Sequence, residues 1–95
     1  MINQKSIDAV DASKFSSDFR KPLYDSYCFS NIPGTIERLL TGKSELNQLP
    51  SDVAKNDSYD KVVLFFVDAF GWRFFEQYKD KYPTLRRFVE DGTVS

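Results

Sequence analysis

The sequence predicts an α/β fold, and three observations carry that expectation. Val62 to Val67 (VVLFFV) is an unbroken apolar run, the pattern of a strand covered on both faces, as in a parallel sheet. Directly after it, Phe70, Phe74, Tyr78 and Tyr82 step by four, which lines them along one face of a helix. A second helix-period segment opens at Pro83 and closes near Gly92, and Thr93-Val94-Ser95 then resembles the start of another strand.

Taken in order, residues 1–30 show no sustained period, and Pro22 disfavours helix at Lys21. An irregular N-terminal segment is expected there, with a helical turn near Val10 to Phe15. Residues 31–42 (NIPGTIERLLTG) predict a helix over about 32–41. Asn31 is placed as its N-cap, Pro33 lies in the first turn, and Gly42 stands where a left-handed stop is needed. Ile32, Ile36, Leu39 and Leu40 share one face. Gly34 is expected to cost the helix roughly 1 kcal/mol. Residues 43–60 are polar, aperiodic and interrupted by Pro50, which predicts a surface loop.

The central strand is expected at about 61–67 and the next helix at about 71–81. In that helix Phe75 widens the aromatic stripe, and Arg73, Glu76, Gln77 and Lys79 take the opposite side. Pro83 ends it and opens a helix over about 83–91 with Leu85, Phe88 and Val89 at i, i+3 and i+4. A second strand is expected to start near 93. A strand covered on both faces needs neighbours for its N–H and C=O groups. Only one clear strand is present, so residues 31–95 are expected to be the N-terminal part of a single α/β domain whose remainder lies elsewhere.

Composition narrows the functional classes. Thirteen basic and fourteen acidic side chains nearly cancel, which argues against binding a nucleic-acid polymer or an anionic membrane surface. There is no histidine, so a His-based triad or a His-rich metal cage cannot be built from these residues. The single Cys28 has no partner for an intramolecular disulfide, in keeping with a reducing compartment. No apolar run approaches the ~20 residues that span a bilayer, and the N-terminus lacks an apolar signal-peptide core. A soluble, cytoplasmic protein is the expectation.

Two motifs fail on inspection. TGKS at residues 41–44 lacks the earlier glycine of a phosphate loop, because that position is Glu37. DAFG at residues 68–71 has Phe70 where a strand-Asp-x-Asp phosphatase needs a second carboxylate, and Ala69 interrupts a kinase-type Asp-Phe-Gly. The charge pairs Glu37-Arg38, Arg86-Arg87 and Glu90-Asp91 fit solvated helix faces. Asp68 stands apart. A carboxylate at a strand end among Phe66, Val67 and Phe70 needs a cation or several donors to offset desolvation. Metal ligation and capping of the following helix fit the spacing equally well.

A resemblance bears on that choice. KVVLFFVDAFGWRFFEQY followed by YPTLRRFVEDGTVS resembles the N-terminal block of the alkaline phosphatase superfamily, in its type I phosphodiesterase/nucleotide pyrophosphatase-like branch. Those proteins open with an apolar strand ending in Asp-Gly-x-Gly, then a helix, a Pro-initiated helix and a strand. The resemblance implies a three-layer α/β domain, and its first metal-ligand aspartate falls on Asp68. Ala69 stands where the family has glycine, Gly71 matches the second glycine, and Pro83, Leu85 and Gly92 match structural positions of the second helix. It further implies two divalent metal ions, zinc foremost, and a phosphate-ester or nucleotide-like small substrate. A Thr or Ser nucleophile is implied beyond Ser95, with neither Thr93 nor Ser95 in that role. The chain is thus expected to be an inactive N-terminal fragment of such a hydrolase. The alternative is a small non-enzymatic α/β interaction module in which Asp68 only caps a helix.

Overall fold

In the computed structural model, which describes residues 1–95, the chain is helical and contains no sheet. Four α-helices occur: α1 (Gln4–Ala12), α2 (Ile32–Thr41), α3 (Trp72–Tyr78) and α4 (Pro83–Asp91). A single 3-10 turn, Phe29–Asn31, leads into α2. The only β-type pairings are isolated bridges, Ile2 with Val94 and Lys14 with Arg20. The expected α/β three-layer architecture is therefore not formed. Residues 61–67 are irregular and belong to no ladder, and the second strand expected near 93 is reduced to the bridge at Val94. The physical reason is the one that makes lone strands unstable: without a neighbour, a strand's peptide groups have no partners to replace water. No helix is long and apolar enough to cross a membrane.

The chain divides into two units, residues 3–62 with Ser95, and residues 63–94 with Met1 and Ile2.

The larger unit is organised by buried polar and small residues. Asn3, Ser6, Asn31 and Thr35 are all buried there. Helix α1 starts where Asn3 accepts the Ser6 backbone N–H at 3.3 Å, and the Ser6 hydroxyl donates back to the Asn3 carbonyl at 2.9 Å. This helix lies earlier than the turn expected near Val10 to Phe15. Its short-range caps outweigh the lack of a clear apolar period. After α1, Phe15 N–H donates to the Phe19 carbonyl and Lys21 N–H to that of Ser13, closing a tight loop braced by Arg20 on Asp11 at 2.8 Å.

Helix α2 covers the span its sequence predicts and stops on Gly42, whose φ of 84° is left-handed and whose N–H donates to the Arg38 carbonyl at 2.8 Å. Its packing is not the one the apolar spacing predicts. Ile32, Ile36 and Leu39 are half-buried and Leu40 is exposed, while Gly34 and Thr35 are buried. The loop after α2 crosses the helix at this point. Leu49 N–H donates to the Thr35 hydroxyl at 2.8 Å, and that hydroxyl donates to the Asn31 carbonyl at 2.8 Å. Farther along, Arg38 donates to the carbonyls of Ala54 and Lys55, both at 3.2 Å, and Tyr59 N–H reaches the Leu39 carbonyl at 2.8 Å. Residues 43–60 thus form a strap bonded to α2.

Asn31 does not cap α2 with its side chain. It is turned inward, 1% exposed, and its amide donates to the carbonyls of Tyr24 at 2.9 Å and Ser26 at 2.7 Å. It fixes the preceding loop against the helix start.

The smaller unit holds the two buried apolar side chains, Phe75 of α3 and Leu85 of α4. The stripe of four-residue steps forms, but as a ladder of partly exposed rings. Phe70 meets Phe74 edge-on at 5.2 Å, Phe74 meets Tyr78 at 4.5 Å, and Tyr78 meets Tyr82 at 5.8 Å between centroids. Phe75, which turns to the other side, stacks on Trp72 at 5.6 Å. Helix α4 begins on Pro83, suited to a first-turn position. It ends at Gly92, whose backbone is extended. The Met1 ammonium donates to the carbonyls of Val89 and Gly92, placing positive charge at the negative end of α4.

Gly34 supplies a test of the strap. A Cβ added there would lie 2.3 Å from the Asn47 carbonyl oxygen and 2.8 Å from the Leu46 Cβ, too close for either to accommodate without moving backbone. Gly34→Ala is therefore expected to destabilise the chain by about 1–3 kcal/mol through overpacking, although alanine is the better helix former by roughly 1 kcal/mol. Urea titration followed by circular dichroism checks the sign; a more stable G34A variant would contradict the close approach.

Candidate functional site

Asp68 lies in a turn, Asp68-Ala69, between the irregular apolar segment and the start of α3. It is exposed, and one carboxylate oxygen accepts the Ala69 backbone N–H at 2.8 Å. The N-cap position of α3 falls on Gly71, which has no side chain to offer, and no side chain caps the helix. The helix-capping role considered for Asp68 is thus not the one it takes.

The backbone of the turn carries strain at an unexpected residue. Gly71 has φ −82°, open to any residue, whereas Ala69 has φ 58°. A Cβ in the left-handed region costs about 1–2 kcal/mol. The resembled motif has glycine at this position, so Ala69 is the departure from that motif and also the point of strain.

A zinc site draws on three or four protein donors. Residues 1–95 bring together no group of three or more His, Cys, Asp or Glu side chains. Asp68 suits a metal only as one ligand among others, so residues 1–95 do not by themselves assemble the donors for either of the two ions that the resemblance implies.

A different polar cluster is assembled in the larger unit. Asp52 accepts from the Asn3 amide at 2.8 Å and from the Tyr27 hydroxyl at 2.8 Å, with the Lys5 ammonium 3.5 Å away. The Asn3 hydrogen bond, joined by those of Tyr27 and the charge of Lys5, holds the Asp52 carboxyl below the ordinary carboxylate range. The negative charge of Asp52 raises Lys5, and burial followed by the hydrogen bond to Asp52 raises Tyr27. Every feature stabilises one protonation state: carboxylate, ammonium and neutral phenol. With its oxygens engaged by three partners, Asp52 acts as an anchor between the chain start, the Tyr27 loop and the strap, not as a general base. The cluster was not legible in the sequence, because its members lie 25 and 49 residues from Asp52 and share no local spacing.

Searches against family models, curated proteins and solved structures find no match to this chain.

The cluster sets an acid limit. A depressed folded-state pKa means that the stabilisation by Asp52 is complete above the unfolded carboxylate value of about 3.9. It is lost as pH falls through the lower folded-state value. Lys5 and Tyr27, both raised, contribute stability that is complete below their unfolded values of about 10 and is lost at higher pH. Urea midpoints measured between pH 2 and 6 should therefore fall below about pH 4, and Asp52→Asn should flatten that slope. An unchanged slope in the variant would remove Asp52 from the acid transition.

Proposed function

We propose that this chain belongs to a phosphate-ester hydrolase of the phosphodiesterase/nucleotide pyrophosphatase-like kind, to whose metal site it contributes Asp68. The observation that carries this reading is the residue order KVVLFFVDAFGW followed by a Pro-initiated helical segment. It is supported by the state of the carboxylate: Asp68 is exposed and is not among the ion-paired carboxylates Asp11, Asp52, Asp80 and Asp91. An exposed carboxylate without a salt bridge remains available to an ion. In this reading the Thr or Ser nucleophile and the other metal ligands lie outside residues 1–95, and these residues alone do not turn over substrate. The metals, when bound, supply charge stabilisation and nucleophile activation.

The substrate is a phosphate-ester or nucleotide-like small molecule. The near-balance of charge, thirteen basic to fourteen acidic residues, favours a small substrate over a nucleic-acid polymer. The single cysteine agrees with a cytoplasmic setting.

The test uses a polypeptide in which residues 1–95 are joined to a nucleophile-bearing segment. Asp68→Ala should lower its bound metal and reduce hydrolysis of a chromogenic phosphodiester on the order of 10²-fold or more, as expected when a metal's charge stabilisation of several kcal/mol is weakened. Unchanged metal content and unchanged turnover would refute the assignment.

A further inference from the structure

The most conspicuous surface feature is the apolar segment itself. Val63, Leu64, Phe65 and Val67 are 73%, 55%, 84% and 65% exposed, and no residue from 61 to 67 takes part in a helix or bridge. Exposed apolar residues scattered singly are ordinary, but a contiguous run marks an interaction surface. The six residues VVLFFV contain no charge, no proline and no glycine, and they combine β-branched and aromatic side chains. That is the composition of segments that pair as strands between chains.

Charge selects the occupant and the direction. The run is bounded by Lys61 at one end and Asp68 at the other. We propose that a second copy of this chain pairs with it as an antiparallel strand, in the register that sets Leu64 opposite Phe65 of the second copy. In that register Val62 meets Val67, Val63 meets Phe66, and Lys61 meets Asp68, at both ends of the pair. Opposite charges directly across an antiparallel pair attract and like charges repel. Parallel in-register pairing would instead set Lys61 against Lys61 and Asp68 against Asp68. A shift by one residue would remove the ion pairs and break the match of the apolar runs. The proposal concerns association alone and does not depend on the hydrolase reading.

Pairing converts the segment into the strand its composition favours and gives it a β-ladder, in which residues 61–67 do not take part within one chain. Each pair retains two outer edges, so further copies add at higher concentration in the same antiparallel sense.

Sedimentation equilibrium of the 95-residue chain tests this, comparing wild type with Lys61→Asp, Asp68→Lys and the double exchange. Each single exchange sets like charges opposite at both ends and should weaken association about tenfold, the size expected of two exposed pairs changing from attraction to repulsion. The double exchange restores both pairs and should return the association constant to within about twofold of wild type. Phe65→Lys should leave the chain monomeric with its helical circular dichroism unchanged. On a Cys28→Ser background, Leu64→Cys mixed with Phe65→Cys should form a disulfide-linked dimer, while either alone should not. A wild-type chain that stays monomeric at several hundred micromolar would overturn the proposal. So would single and double exchanges with equal effects, or efficient self-crosslinking of Leu64→Cys.

Discussion

A strand exists only where its peptide groups find partners, and residues 1–95 contain one strand-forming segment with no second strand beside it. This constraint governs the rest of the structure. VVLFFV has the composition of a central strand, yet it remains irregular, with Val62 half-buried and Val63 to Val67 exposed. The buried apolar side chains are Phe75 and Leu85. Small domains are already poor in buried surface, so other forces must shape the two units.

In residues 3–62 those forces are directional. Asn31, Thr35, Asn3 and Ser6 are buried, and no buried side-chain polar atom is left without a partner. Satisfied polar contacts of this kind each add a modest net stability, but leaving one unmade is costly. They therefore specify a conformation more strongly than they stabilise it. Asn31 clamps one loop, Thr35 relays between the Asn31 carbonyl and the strap, and Gly34 lets the strap approach. In residues 63–94 the aromatic ladder from Phe70 to Tyr82 follows from helical spacing alone, and its rings remain half in water.

The legible parts of the sequence were those fixed by local rules. The limits of α2 followed from a proline in the first turn and a glycine at the end, and Pro83 marked the start of α4. The failures have a common origin in long-range geometry. The apolar spacing of α2 pointed to Ile32, Ile36, Leu39 and Leu40, but the strap packs over Gly34 and Thr35, and nothing in residues 31–42 announces where a later loop will cross. Asn31 had the right identity for a cap and is used as an amide clamp. Asp68 was visible as a carboxylate among apolar residues; the strain at Ala69 and the bare cap at Gly71 required backbone angles. The strand failed because an apolar hexapeptide states a preference, whereas a sheet requires a second segment. Asp68 retains its chemical interest for the same reason: its carboxylate is held by a single backbone N–H and is not committed to an ion pair.

Amide hydrogen exchange across Val63 to Phe65, read at low micromolar concentration where the chain is monomeric, tests directly whether a second strand lies beside them. Without a strand beside them, these amides should exchange close to the rate of an unstructured peptide, and concentrating the sample should slow them about tenfold or more as copies pair. Strong protection in the dilute monomer would show that the segment pairs with a strand of its own chain, and would contradict the account at its base.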